Sequence, residues 1–114
     1  MSSSSYLSYL DLYINQGETF SVTITVSGML EESYNLSSYT AKSDIKRSPW
    51  SNNKTTSFQT TIIDNAITLS LPSANTQLLT NSKYVYDMFV TNSVSNVTSK
   101  LIEGVIYVSP KITT

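Results

Sequence analysis

The chain has 114 residues, eight acidic against seven basic side chains for a net charge of −1, and neither cysteine nor histidine. That length fits one hydrophobic core, and the missing residue types exclude disulfide scaffolds, Cys or His metal centres, and thiol or imidazole catalysis. Only 13% of residues are charged, so the electrostatic footprint that a nucleic-acid backbone demands is lacking.

Taken in chain order, period-two alternation is the dominant pattern. Leu7 to Ile14 reads as a first strand ending before Gln16 and Gly17. Phe20, Val22, Ile24 and Val26 share one face of a second strand, and Thr19, Ser21, Thr23 and Thr25 share the other, with Gly28 ending it. In the third strand Tyr39, Ala41, Ser43 and Ile45 point inward, and Lys42, Asp44 and Lys46 outward. Pro49 closes that run because it removes a ladder donor, and Ser48 to Ser57 is a loop.

Phe58 to Ile63 and Ile67 to Leu71 form a hairpin turned at Asp64 and Asn65, residue types that tolerate positive φ. Ser73 is placed to cap one or two helical turns, with Leu78 and Leu79 directed at the core. Tyr84 to Thr91 is apolar on both faces, Tyr84, Tyr86, Met88 and Val90 on one and Val85 and Phe89 on the other. Such a strand is central or has its outer face covered by a neighbouring subunit. After a turn at Asn92 to Asn96, a long last strand runs from Val97 to Val108, with a bulge expected at Gly104. Seven strands with one helical turn between the fifth and sixth predict an all-β protein, an immunoglobulin-like two-sheet β-sandwich of antiparallel strands, with a small barrel as the alternative. Residues 1–15 form an N-terminal arm and first strand, and residues 16–114 the sandwich.

Four segments carry a further resemblance: Tyr34 to Lys46 (YNLSSYTAKSDIK), Ile67 to Pro72 (ITLSLP), Lys83 to Asp87 (KYVYD) and Leu101 to Thr113 (LIEGVIYVSPKIT). In order and spacing the chain resembles small virion proteins of tailed bacteriophages, among them the N-terminal domain of baseplate upper proteins and short structural proteins of cyanophage-like viruses. Ser38 stands where those proteins usually carry a glycine. The resemblance implies a non-enzymatic structural role as an adaptor or accessory component of tail, neck or baseplate. The expected partners are other virion proteins, met in multiple copies of a symmetric assembly. The alternatives are a head decoration protein and a host-surface carbohydrate-binding or adhesive module.

Candidate chemistry is sparse, and no catalytic, metal or cofactor residue is assigned. The carboxylates are scattered, with Glu31 and Glu32 adjacent on an expected exposed turn. Asp87, set within an apolar strand, reads either as a solvent-facing or hydrogen-bonded group or as a calcium ligand or interface ion pair. Glu103 beside Gly104 reads as a bulge residue facing lysine or backbone donors. Lys42, Lys46 and Arg47, interrupted by Asp44, read as a solvated strand edge. Trp50, in a polar loop, is either a partner anchor or a lid on the end of the sandwich. The Asn35, Asn53 and Asn96 glycosylation triplets are no more than chance supplies in a chain so rich in Ser and Thr. Tyr6, Leu7, Tyr9 and Leu10 give the N-terminal arm unusual apolar weight, so the arm is expected to contact a neighbouring protein. No stretch approaches the roughly 20 apolar residues of a membrane helix, and the start, Met1 to Leu10, lacks the charge and apolar run of a signal peptide. Synthesis and assembly in the host cytoplasm, and residence in the virion, are the corresponding expectations, with no membrane and no nucleic acid as partner.

Overall fold

Alternating side chains can satisfy a core only if successive strands lie side by side with their apolar parity turned the same way. The computed structural model, which describes residues 8–25 and 37–113, realises this with strands β1 (Ser8–Tyr9), β2 (Leu12–Asn15), β3 (Phe20–Thr25), β4 (Tyr39–Lys46), β5 (Thr56–Ile63) and β6 (Ala66–Leu71), a short helix α1 (Ser73–Thr76), and strands β7 (Lys83–Asn92) and β8 (Thr98–Ser109). Strands hold 59% of the described residues and helix 4%, which makes the chain nearly all-β. The strand order is β1-β8-β7-β4-β5-β6-β3, with β2 continuing along β8, and this seven-strand mixed sheet is nearly closed into a barrel.

β5 turns the sheet. Its residues Thr56 to Phe58 pair with β4, whereas Gln59 to Ile63 pair with β6. The inward residues of β7, Tyr84, Tyr86, Met88 and Val90, are all buried, and β4 and β8 flank the strand on its two sides. Inside, Phe20, Phe58 and Tyr86 make an aromatic line from β3 through β5 to β7, with centroid separations of 6.0 and 5.8 Å. The Tyr86 hydroxyl ends that line by donating to the Leu10 carbonyl oxygen at 2.6 Å.

Several details depart from the sequence expectations. The pairing is mixed, because β1 and β2 run parallel to β8. The single first strand is interrupted at Leu10 and Asp11: the Leu10 carbonyl is held by Tyr86, and the Asp11 carboxylate accepts the Val105 amide at 3.1 Å. β8 is not broken at Gly104. Its irregularity lies beside the Met88/Phe89 step, where Met88 pairs with Ile102 and Phe89 with Lys100, leaving Leu101 as the additional residue. Gly104 serves close approach instead, since a Cβ there would lie 2.1 Å from the Leu10 carbonyl oxygen. Pro72, not Ser73, occupies the N-cap position, and no side chain caps the helix. Leu79 is buried as expected, but Leu78 is half exposed because it falls on the solvent side of the turn after α1. In keeping with the sequence, the turn residue Asp64 has a positive φ of 54° and Ser38 is not among the residues with positive φ; Asn96, at φ 62°, also has one. The second strand's Val26 and its terminator Gly28 lie outside the described residues.

The loop from β2 to β3 is bound to α1. Gly17, at φ 85°, donates its amide to the Thr76 hydroxyl at 2.9 Å, and that hydroxyl lies 3.0 Å from the Glu18 carbonyl oxygen. Thr76 is fully buried, so these bonds satisfy a group that would otherwise be costly to enclose.

Candidate functional site

The outward parity of β4, β7 and β8 builds an open cleft of about 910 Å³ on the outer face of the sheet, with Tyr9 and Asp11 at its β1 side. Across its middle the strand register aligns Ser57, Asp44, Asp87, Glu103 and Tyr9 in one row. Three carboxylates are therefore neighbours on adjacent strands, an arrangement that like-charge repulsion disfavours unless positive groups and donors offset it.

Compensation comes from Ser57 in the same row, from Lys54 in the loop before β5 and from Lys100 in the next row. Ser57 donates to Asp44 at 2.6 Å, and the Lys54 ammonium lies 3.7 Å from the same carboxylate. Lys100 donates to Glu103 at 2.9 Å. Residues three apart on a regular strand face opposite ways. The additional residue Leu101 shifts that parity and puts both charged groups on the outer face. The Lys100 hydrogen bond, with another from the Tyr9 hydroxyl, holds Glu103 below the usual glutamate range, while the same contact with Glu103 raises Lys100. Hydrogen bonding to Glu103 likewise raises Tyr9. Asp87, in the middle of the row, is raised by partial burial. Lys100 opposes that shift, Asp44 and Glu103 reinforce it, and Lys46 opposes it.

Apolar groups interleave with these charges. Phe89 lies under the Lys100 ammonium, 5.8 Å from the ring centroid, and Val85 and Val105 face each other across β7 and β8. Further along β8, Tyr107 stacks on Tyr13 of β2 with centroids 5.4 Å apart. The surface combines apolar patches with two ion pairs, Lys54 with Asp44 and Lys100 with Glu103, and with Lys42, Lys46 and Asp87 beside them. Its carboxylates Asp44, Asp87 and Glu103 are spaced as cross-strand neighbours.

Of the residues singled out from the sequence, Tyr9 is brought to the cleft with its side chain largely exposed. Leu10 is partly exposed, but its backbone is bound to β8 and Tyr86, so this part of the arm belongs to its own domain. Trp50 is 87% exposed, which rules out its folding back as a lid, and it does not line the cleft, although Pro49 does. Asp87 faces outward as its parity required. Tyr6, Leu7, Glu31, Glu32 and the Asn35 triplet lie outside the described residues. Lys100, Phe89 and Val105 were not identified as surface determinants from sequence. Apolar residues on both parities of β7 were the available signal for Phe89, whereas the placement of Lys100 depends on a bulge that no residue type announces. Among the described residues no group of three or more acidic side chains is arranged to hold a metal ion, and no helix is long and apolar enough to cross a membrane. Comparison with known protein families and with curated proteins finds no match to this chain.

Proposed function

We propose that this chain is a non-enzymatic structural protein of a tailed-bacteriophage virion, an adaptor or accessory component of tail, neck or baseplate, built on an immunoglobulin-like two-sheet sandwich. The strand order supports the sandwich reading: β2, β8, β7 and β4 form one group and β3, β6 and β5 another, with a helical crossover from β6 to β7. At the start of β7 the Tyr84 hydroxyl accepts the Asn81 amide at 3.1 Å, a tie between a tyrosine and the backbone just upstream of the kind found at the corner of such sandwiches. The virion reading itself rests on the sequence resemblance.

The observation that carries the functional reading is the outer face of β4, β7 and β8, where Phe89, Val85 and Val105 lie among charges of both signs in an open cleft, Lys100 and Glu103 forming an ion pair there. Interfaces of this composition are recognised by shape, aromatic contact and charge register. The test is proteomic analysis of purified, nuclease-treated particles from a phage encoding the chain. The protein should be present in fixed stoichiometry, and the substitution Phe89→Glu should lower its incorporation while its melting temperature is retained. Absence of the protein from such particles would refute the reading.

A further inference from the structure

The sheet has two edges of different character. On the β8 side the edge is built from the two short strands β1 and β2, interrupted at Leu10 and Asp11 and carrying the Asp11 charge. Short length, a kink and a charge are the ordinary protections of an edge. β3 has none of them. Its six residues, Phe20–Thr25, pair with β6 without a register shift, contain no charge, proline or glycine, and end the strand order of the sheet. Among the described residues no strand pairs with its other side.

The surface beside this edge is also unusual. The outward residues of β3, β6 and the second half of β5 include no charged side chain; Thr23, Thr68 and Thr61 form one cross-strand row, and the Thr23 and Thr68 hydroxyls are 2.9 Å apart. Charge is concentrated on the opposite group of strands, where Lys42, Asp44, Lys46, Asp87, Lys100 and Glu103 share one face. Depletion of charge is the compositional mark of surfaces that become covered.

We propose that β3 pairs antiparallel with β3 of a second copy of this chain, joining two three-stranded groups into one continuous sheet. A neutral strand of alternating β-branched residues is its own complement. A two-fold axis through Val22 or Thr23 keeps Phe20, Val22 and Ile24 of both copies on the same side, because directly opposed residues in an antiparallel pair point the same way. A strand carrying charges on its outward positions would lack this self-complementarity. This inference is independent of the virion reading.

Sedimentation equilibrium over a wide concentration range tests it. The wild type, 12.6 kDa as a single chain, should approach twice that mass as concentration rises, and amide exchange in residues 20–25 should slow in parallel. The double substitution Thr23→Lys with Thr25→Lys should hold the protein at single-chain mass with its circular dichroism and melting temperature retained. Phe89→Ala, on the opposite face, should dimerise like the wild type. A wild type that stays at single-chain mass at every concentration, a dimer indifferent to the two lysines, or concentration-dependent protection confined to other strands would overturn the proposal. So would protection of β3 that arises only when a different protein is added.

Discussion

The Tyr86 hydroxyl and the Leu10 carbonyl, 76 residues apart in the chain, meet at 2.6 Å and fasten the N-terminal segment to the middle of the sheet. Tyr86→Phe keeps the ring's edge contact with Phe58 and removes only this bond. The expected cost is about 0.5–1.5 kcal/mol in urea unfolding. Burial, with the Asp11 charge as a second cause, raises the phenol well above its ordinary pKa of 10.0. A raised folded-state pKa means that the native protein binds the proton more tightly, so this contribution is intact below about pH 10 and is lost as pH climbs beyond it. The phenylalanine variant should show a shallower alkaline loss of stability than the wild type; equal slopes would contradict this assignment.

Gly104 and Leu10 are coupled by steric exclusion. Alanine at 104 would bring a methyl group to 2.1 Å from the Leu10 oxygen, which is backbone and cannot swing aside. Gly104→Ala should destabilise by about 1–3 kcal/mol. Hydrogen exchange should locate the damage in residues 9–15, leaving the amides of β5 and β6 protected.

Thr76→Val tests the loop anchored on α1. The change is nearly isosteric, yet it leaves the Gly17 amide without its acceptor and costs about 1–3 kcal/mol. Thr76→Ser should recover most of the loss, since it restores the hydroxyl without the methyl.

At Asp87 the sign is the reverse of a salt-bridged carboxylate. Partial burial raises its pKa above the ordinary 3.8, with Lys100 opposing, Asp44 and Glu103 reinforcing, and Lys46 opposing. Between the unfolded and folded values the native state holds more protons, so this group's contribution falls as pH rises through that window and stays unfavourable above it. Asp87→Asn should therefore raise the thermal midpoint near neutral pH, and the gain should shrink on acidification toward about pH 4. A variant less stable than wild type at neutral pH would show that the carboxylate makes a favourable contact that outweighs its burial.

Trp50, exposed and remote from the core, should report on the surface without affecting stability. Trp50→Ala should change unfolding free energy by less than about 0.5 kcal/mol. As the chain's single tryptophan, it should emit as a solvated indole, open to iodide quenching in the folded state. A strong reduction in quenching on incorporation into a particle would mark it as a contact.

Strand positions and their inward parity were legible in the sequence because alternation of β-branched and polar residues is a local signal, as in Phe20–Thr25 and in Tyr84, Tyr86, Met88 and Val90. The turn at Asp64 and Asn65 was legible from another local signal, residue types that tolerate positive φ. Partnership was not. Nothing local specifies that Leu12–Asn15 lies parallel to Ile106–Ser109, since that pairing depends on the two segments meeting in space. Gly104 drew notice as a glycine, but its reason for being one lies in Leu10, and the bulge fell on Leu101, whose side chain is as apolar as that of Ile102 beside it. The row of carboxylates was invisible for a related reason: Asp44, Asp87 and Glu103 become neighbours only through register.

β5 lends its first three residues to β4 and the rest to β6. A chain organised in this way has no seam along which one half could melt while the other survives. Heat should erase the signals of both halves at a single temperature, and a nick within Thr56–Ile63 should cost the molecule its cooperativity as a whole, whereas a nick in the exposed stretch Asn52 to Lys54 should be borne far better.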